Sequence, residues 1–233
     1  MSCRDVSLVY AATLALSLML SGTALSQQNN DCPKRLGVFG DDRLASETAE
    51  IMAEVYQNLG CPIEMISLPG RRGFRAFNNS TIDGELYRLP VGAKNYTRSY
   101  VQSETPLFEI TNSLWVKPDS KHHSDGPIGY IIGVAWQEAY LETNNLPGSG
   151  HHDVSDMIWH YNAGIFDRFL AEDTNIIAAI RDGDFGTENV PIQLEVLEVG
   201  PLYHFLGAEF SGFMARLSEY VKTYHPFTRA NAL

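Results

Sequence analysis

Several side chains that could hold a small charged molecule follow directly after short apolar runs of the chain. Arg71 comes after the run IEMISLPG, and Arg88 ends the run IDGELYR. An arginine suits a carboxylate or another planar anion, because its guanidinium group donates two parallel hydrogen bonds. In comparable places, the carboxylates of Asp41 and Glu172 could receive an ammonium group and the ring of Trp136 could stack on a ligand. These residues together indicate a binding site for a small solute with an anionic group, with or without an amine.

Structural roles for the same side chains remain open on sequence alone. Arg88 could form an ion pair with Asp83 or Glu85. Trp136 could pack against its own lobe, and Glu172 could cap the helix that begins near NIIAAI. In each case the sequence allows both a ligand contact and a structural contact.

The apolar pattern predicts the elements that position these residues. A strand at 35–39 precedes an amphipathic helix, followed by the strand IEMISL, a short helix at about 71–78 and the strand IDGELYR. This alternation is typical of a parallel sheet with right-handed crossovers. Ligands bind beyond the carboxyl ends of such strands, where Asp41, Arg71 and Arg88 are expected.

A second α/β series begins at the strand IGYIIGV. It continues with a helix near Trp136, the loop NNLPGSGHHD, a helix from about Val154, the strand FDRFLA, the helix NIIAAIRDG and the strand QLEVLEV. The tail is helical from about 208 to 224. We therefore predict two α/β lobes joined by extended crossings near 114–118 and 199–203. The predicted boundaries are a first lobe at 27–115, a second at 116–200 and a return to the first at 201–233.

The order and spacing of four stretches resemble the family 3 solute-binding proteins. The stretches are TAEIMAEVYQNLGCPIEMISLPGRRGFRAFNN with STIDGELYR, then YVQSETPLFEITNSLWVKPDS, IGYIIGVAWQE and NAGIFDRFLAED. The resemblance covers about residues 34–224. It implies the type II periplasmic binding fold, with a ligand cleft between two lobes, and a monomer that binds a solute for a membrane transporter or receptor and is not an enzyme.

One region departs from the family pattern. Amino-acid binders of the family carry a serine or threonine shortly before an arginine, and the two hold the ligand carboxylate. The corresponding region here, RLPVGAKNYTRSYVQSETP, does not show that motif clearly. Arg88 or Arg98 could take the role, or the ligand is not an amino acid. A dehydratase-like enzyme on the same fold, or a sensor or interaction module with a degenerate cleft, are the alternatives.

Composition and motifs exclude several function classes. The formal net charge is −11, and the 17 basic residues are scattered, which argues against nucleic acid. As the alternative to a ligand role, Arg72 and Arg75 could be solvated surface charges. Neither a phosphate-binding loop nor a dinucleotide fingerprint occurs in the sequence, so no cofactor is predicted.

Two adjacent histidine pairs, His122-His123 and His151-His152, lie in polar segments. Neither pair has the i, i+4 helical spacing of a preformed zinc site. No metal is therefore predicted.

The N-terminus and the cysteines indicate export. Arg4 precedes a long apolar run, and small residues at Ala24 and Ser26 suit signal-peptidase cleavage, so residues 1–26 are predicted to be a signal peptide of a periplasmic protein. An uncleaved membrane anchor is the alternative.

Cys32 and Cys61 each precede a predicted parallel strand and could form a disulfide in an oxidising compartment, with free buried thiols as the alternative.

The predicted cleavage can be tested on the cell-envelope product. N-terminal sequencing should start at Gln27, because cleavage after Ser26 places small residues at both positions that the peptidase recognises. A product that keeps Met1 in the membrane fraction would contradict the prediction.

Overall fold

The first lobe forms from the strands and helices that the apolar pattern predicts. The computed structural model describes residues 31–40, 43–68, 71–118 and 126–228. Its first elements are β1 (Arg35–Val38), α1 (Arg43–Asn58), β2 (Glu64–Ser67), α2 (Arg72–Asn78) and β3 (Gly84–Arg88). β1 runs parallel to β2 on one side and to β3 on the other, so the predicted parallel arrangement is confirmed. α1 buries Leu44, Met52 and Val55 on the face that covers the sheet.

The alternation of strands and helices continues through the second lobe, and the last helix packs on the first lobe. After a 3-10 turn at Pro90–Asn95, the elements are β4 (Tyr100–Gln102), β5 (Phe108–Val116), β6 (Ile128–Ile131), α3 (Ala135–Thr143), β7 (Gly148–His151), α4 (Val154–Asn162), β8 (Arg168–Glu172), α5 (Asp173–Asp182), β9 (Ile192–Gly207) and α6 (Ser211–Tyr224). β6 runs parallel to β7 and to β8. In the described part of the chain, no helix is both long and apolar enough to span a membrane.

β7 differs from the sequence prediction, which placed a loop there. Its residues GSGH carry no apolar alternation, so the sequence gives no strand signal. Backbone pairing with β6 forms the strand instead, from Ile128↔Gly148 to Ile131↔His151. The glycine at 148 is required by close packing, since a Cβ there would lie 2.8 Å from the rings and methyls of Tyr130 and Leu141.

β9 joins the two lobes into one sheet. The strand is 16 residues long and pairs antiparallel with β5 and then with β3. The resulting strand order is β2-β1-β3-β9-β5-β8-β6-β7, with β4 added beside the end of β9. The predicted crossings at 114–118 and 199–203 therefore belong to two strands that lie side by side. Residues from Asp31 onward form one compact unit, and the lobe boundaries at 115/116 and 200/201 stay a prediction.

Two apolar clusters form the interior. The first includes Leu36 and Leu206 of the first-lobe sheet, Tyr56 of α1, and Phe213 and Leu217 of α6, and it extends into the second lobe through Trp136. The second lies within the second lobe and includes Trp115, Met157, Tyr161, Phe169, Ile176 and Phe185. Each fully buried large apolar side chain contributes about 1.5–3 kcal/mol relative to an exposed one, so these clusters are the main stabilising term.

A buried histidine links α1 to the sheet of the first lobe. The hydroxyl of Tyr56 donates to Nε2 of His204 at 2.7 Å, and Nδ1 of His204 donates to the carbonyls of Glu85 and Leu86 at 2.9 and 3.0 Å. His204 is fully buried, and this burial lowers the pKa of its imidazole to about 4. The ring is therefore neutral in the folded protein at ordinary pH.

The predicted disulfide is present. Cys32 and Cys61 are bonded, with their Cα atoms 5.3 Å apart. Cys32 precedes β1 and Cys61 precedes β2, so the bond lies at the amino-terminal end of the sheet. It therefore fixes the end of the first lobe that is opposite to the carboxyl ends of the strands.

Removal of the disulfide should destabilise the fold. The bond joins residues 29 apart in sequence. Loss of a cross-link of this span costs on the order of 3 kcal/mol of unfolding free energy, because the unfolded chain gains freedom. Urea denaturation of the Cys32→Ala/Cys61→Ala double variant should show this loss. Reduction should lower the wild-type midpoint to a similar degree and leave the double variant unchanged, whereas equal midpoints for oxidised and reduced wild type would contradict the expectation.

His204 should make stability depend on pH. Its folded pKa of about 4 lies below the ordinary value of 6.5, so between these values the unfolded chain binds a proton that the folded protein does not. The unfolding free energy should fall by up to about 1.4 kcal/mol per pH unit as pH decreases through this window. Urea denaturation between pH 7 and 4 should show a shallower fall for His204→Gln than for wild type. Equal slopes would contradict the assignment to His204.

Candidate functional site

The carboxyl ends of strands from both lobes surround one cavity of about 560 Å³. The turn after β1, the end of β3 and the start of α2 form its first-lobe side, and the segments that follow β6, β7 and β8 form its second-lobe side. Ile110 of β5 and Leu202 of β9 lie between the two sides. The volume falls within the range of sites for small molecules. A shallower depression beside it is lined by Arg71, Glu138 and the loop before β7.

Most of the cavity wall is apolar. Phe39, Leu44 and Tyr87 come from the first lobe, while Ile131 and Met157 come from the second. Such a wall can surround the hydrocarbon part of a ligand, and a few polar groups then fix its orientation.

Arg88 lines the cavity but is engaged in a buried ion pair. Its Nε and Nη2 donate to the two carboxylate oxygens of Glu85 at 2.9 and 2.7 Å. The hydroxyl of Tyr96 donates to the same carboxylate. The guanidinium carbon lies 4.8 and 4.5 Å from the ring centroids of Phe39 and Phe74. The pairing with Glu85, one of the two structural partners considered from sequence, is therefore formed.

Arg88 is positively charged in this ion pair. Burial acts to lower the pKa of Arg88, but the charge of the Glu85 carboxylate and its hydrogen bonds together raise that pKa by more, so the net direction is upward. Gly73 of α2 makes room for the pair, since a Cβ there would lie 2.9 Å from Nη2 of Arg88. Removal of either partner would leave a buried charge uncompensated.

The two adjacent arginines after β2 lie in different surroundings. Arg72, for which a solvated surface position was the structural alternative, is the first residue of α2 and lines the cavity. Among the described residues it has no ion-pair or hydrogen-bond partner. Arg71, predicted to bind the ligand, lies outside the cavity and donates from Nη2 to Glu138 at 3.0 Å, with 72% of its side chain exposed. Consecutive residues at a helix start point in different directions, so only one of them can face the cavity.

Arg98, the other candidate for the family's arginine, does not line the cavity. Its Nη1 donates to the carbonyls of Phe77 and Ile82 at 3.2 and 2.9 Å. Its Nη2 forms an ion pair with Glu209. These contacts hold the segment before β4 against α2 and β3.

The surroundings of Trp136 are compatible with both of the contacts that the sequence left open. It lines the cavity from the first turn of α3 and is 8% exposed, packed within the first apolar cluster. Gln137 beside it was not predicted as a site residue. Its Oε1 accepts from the amide of Ile131 at 2.6 Å, and its Nε2 donates to the carbonyl of Leu170 at 3.0 Å. These bonds fix the start of α3 on β6 and β8 and so position Trp136.

Glu172 lies at the cavity and caps α5. Its carboxylate accepts from the backbone amides of Thr174 and Asn175 at 2.8 and 3.0 Å. A carboxylate at this end of a helix is stabilised by the unpaired amides and by the helix dipole.

Asp41 and the pair His122-His123 lie outside the described residues, although Gly40 beside Asp41 lines the cavity.

The segment between β7 and α4 forms a wall that sequence reasoning missed. His152, Asp153 and Ser155 line the cavity there. Asp153 caps α4 by accepting from the amide of Asp156 at 2.7 Å. The pair Asp153-x-x-Asp156 is a helix-start signal in the sequence. Without β7, however, the sequence could not show that this start faces the cavity.

Three second-lobe helices begin at the cavity. The first turns of α3, α4 and α5 all contribute lining residues. A helix N-terminus carries partial positive charge and unpaired amides, which favour negative charge. At α4 and α5 the carboxylates of Asp153 and Glu172 already occupy this position, whereas α3 has no side-chain cap. The start of α3 and Arg72 opposite it are therefore places that suit an anionic group.

Solved structures with the same fold are two-lobed binding proteins and sensor domains. A histidine kinase sensor domain with similarity to periplasmic binding proteins has a TM-score of 0.68 and 14% identity, over 85% of this chain and 92% of that one. A lysine-complexed binding component of an ABC transporter from Wolinella succinogenes DSM 1740 has a TM-score of 0.67 and 13% identity, over 84% and 93%. An arginine-bound mutant of ArgBP from T. maritima has a TM-score of 0.65 and 11% identity, over 82% and 94%.

The likeness is found in the structure and not in the sequence. No family model matches the chain, and no curated protein matches it significantly. At these identities the structural likeness establishes the fold alone. The chain has the two-lobed α/β fold of the type II periplasmic binding proteins, with its cavity between the lobes.

Proposed function

We propose that this protein is an exported, non-catalytic solute-binding protein that captures a small solute with an anionic group between its two lobes. The observation that carries the proposal is the cavity of about 560 Å³ at the carboxyl ends of strands from both lobes. Family 3 of the solute-binding proteins is the class whose sequence pattern it resembles. Periplasmic location, removal of residues 1–26 and a monomeric state belong to the same proposal.

Charge supports an anionic group on the solute. Arg72 brings a guanidinium to the first-lobe side, and Arg88 lies deeper beside its Glu85 partner. On the opposite side, the N-terminus of α3, which has no side-chain cap, adds partial positive charge. Glu172 and Asp41 are the residues proposed to serve an amine on the same solute.

The cavity wall supports a solute that also has an apolar part. Phe39, Trp136 and Met157 are three of the apolar side chains around the cavity. Aromatic faces can stack on a planar ligand and shield its contacts from water. An amino-acid-like solute or a small organic acid with a hydrocarbon portion fits this combination.

Proteins with this fold take part in uptake and in sensing. The structures that resemble the chain include a transporter component and a kinase sensor domain. The partner of the solute-loaded protein would accordingly be a membrane transporter or a receptor. The disulfide Cys32–Cys61 supports an oxidising compartment in either case.

An enzyme on the same fold is less well supported. The described carboxylates at the cavity, Asp153 and Glu172, both cap helices. A general acid or base would need a carboxylate or histidine within hydrogen-bond reach of a reacting group. His152 is the one described histidine at the cavity, and it stands at the exposed start of α4.

Mass spectrometry of the solute released on denaturation tests the proposal. Freshly purified protein should release one small compound in near-stoichiometric amount, since closure of two lobes slows dissociation. The absence of any released compound, together with no thermal shift on adding amino acids or organic acids, would contradict solute binding.

Arg72→Ala should weaken binding of the released solute, as measured by calorimetry on protein stripped of it. Loss of one charge-assisted hydrogen bond costs about 1.5–3 kcal/mol, which corresponds to roughly a ten- to hundredfold increase in Kd. The melting temperature without solute should not change, because Arg72 is exposed and has no partner among the described residues.

Arg75→Ala is the matched control for this experiment. Arg75 lies on the same helix and is exposed, but it does not line the cavity. Its replacement should leave the affinity unchanged, and equal effects of the two substitutions would remove Arg72 from the site. Arg88→Ala is a poorer test, because it would leave the buried carboxylate of Glu85 without its partner and destabilise the fold.

A further inference from the structure

A second cluster of potential ligands lies outside the cavity, where β7 meets α4. His151 is the last residue of β7, and Asp156 and His160 lie one turn apart on α4. Both imidazoles lie beside one carboxylate, and their ring centroids are 4.8 Å apart. Nδ1 of His151 is 3.6 Å from Oδ2 of Asp156, and Nδ1 of His160 is 3.2 Å from Oδ1. One donor atom from each of the three residues lies within 4.8 Å of the other two.

The local fold holds these three side chains together. Residues four apart on a helix face the same side, so Asp156 and His160 are neighbours. The amide of His152 donates to Oδ2 of Asp156 at 3.1 Å and fixes the end of β7 to the first turn of α4. His151 is 3% exposed, and its ring packs 5.1 Å from that of Phe166. Packing therefore holds the ring of His151 in place, whereas the partly exposed side chains of Asp156 and His160 can rotate.

We propose that His151, Asp156 and His160 form a binding site for a divalent transition-metal ion of the Zn²⁺ class. Two imidazole nitrogens and one carboxylate oxygen are a common three-residue set for zinc, with the fourth position left to water or to another ligand. Zinc bonds to these atoms are about 2.0–2.2 Å long, so ligand atoms around one ion lie roughly 3–4 Å apart. Asp156 and His160 have about one-third of their side chains exposed and can rotate to close that difference.

Hydrogen bonding alone explains only part of this geometry. Nδ1 of His160 is 2.8 Å from the carbonyl of Asp156, and Nε2 of His151 is 3.2 Å from Oγ of Ser149. The distance of 3.6 Å between Nδ1 of His151 and Asp156 is too long for a hydrogen bond. The two atoms are close enough to bind one ion, but they are farther apart than in an ordinary hydrogen bond.

The sequence prediction of no metal considered the adjacent histidine pairs and not this combination. The spacing that carries the proposal is His151-x4-Asp156-x3-His160, in which the last two residues have the i, i+4 separation. The first residue becomes a neighbour only because β7 ends against α4, and β7 has no strand signal of its own.

Metal binding at this cluster would act on the cavity wall. The ion would tie the end of β7 to the second turn of α4, and the residues between them, including His152, Asp153 and Ser155, line the cavity. Occupancy is therefore expected to stiffen one side of the solute site. The metal site itself does not depend on what the cavity binds.

Calorimetric titration with ZnCl₂ tests the proposal on the untagged full chain after EDTA treatment and dialysis. We expect one Zn²⁺ per chain and a higher melting temperature in its presence. His160→Ala should weaken zinc affinity at least tenfold. Asp156→Asn, which keeps the size of the side chain and an acceptor oxygen for the amide of His152, should also weaken it. Circular dichroism of each variant checks that the fold is retained.

His152→Ala is the matched control, because His152 is an exposed neighbour outside the cluster. It should leave zinc affinity within about twofold of wild type. Failure of the wild-type protein to bind zinc, or an equal loss in His152→Ala and His160→Ala, would overturn the proposal. Solute binding by the cavity would remain measurable in either case.

Discussion

The pairing of β9 with both β5 and β3 is the constraint on which the rest of the structure depends. From Ile192 to Leu202 the strand follows β5, and from Tyr203 to Leu206 it follows β3. One continuous strand thereby joins two parallel half-sheets. The carboxyl ends of strands in both half-sheets therefore border the same cavity. Leu202 of β9 and Ile110 of β5 lie between them. A small shift of register in β9 would separate the walls of the cavity.

Some charged side chains around the cavity make structural contacts, and others are available to a ligand. Arg88 and Glu85 are buried together, and two hydrogen bonds offset the cost of removing both charges from water. The guanidinium of Arg72 remains available at the cavity. Carboxylates at the starts of α4 and α5 are held by backbone amides. Arg72 and the uncapped start of α3 remain for a negatively charged group, within a largely apolar wall.

Apolar periodicity and chain order were sufficient to predict the alternation of strands and helices, the parallel pairing of β1 with its neighbours, and the disulfide. Periodicity could not reveal β7, because its GSGH segment is held by backbone pairing and by packing against Tyr130. The wall after β7 was missed for the same reason. The choice between Arg71 and Arg72 depended on the residue at which α2 begins, which a sequence pattern fixes only to within one or two positions.

The case of Arg88 illustrates a further limit. The sequence offered a ligand role and an ion pair with Asp83 or Glu85. The choice depends on three-dimensional details: Asp83 instead accepts from the amides of Lys34 and Arg35, which leaves Glu85 as the partner. Gly73 on α2 provides the space for that pair. Neither fact can be read from the spacing of residues along β3.

The most direct test of whether the solute lies between the lobes is hydrogen–deuterium exchange. The exchange is measured with and without the solute that the purified protein releases. Both cavity walls should exchange more slowly with the solute bound: the segment at 87–92 in the first lobe, and the starts of α3, α4 and α5 in the second. The amino-terminal end of the first-lobe sheet, near Cys32 and Cys61, should be unaffected. Slower exchange confined to one lobe, or no change in either, would contradict a solute held between them.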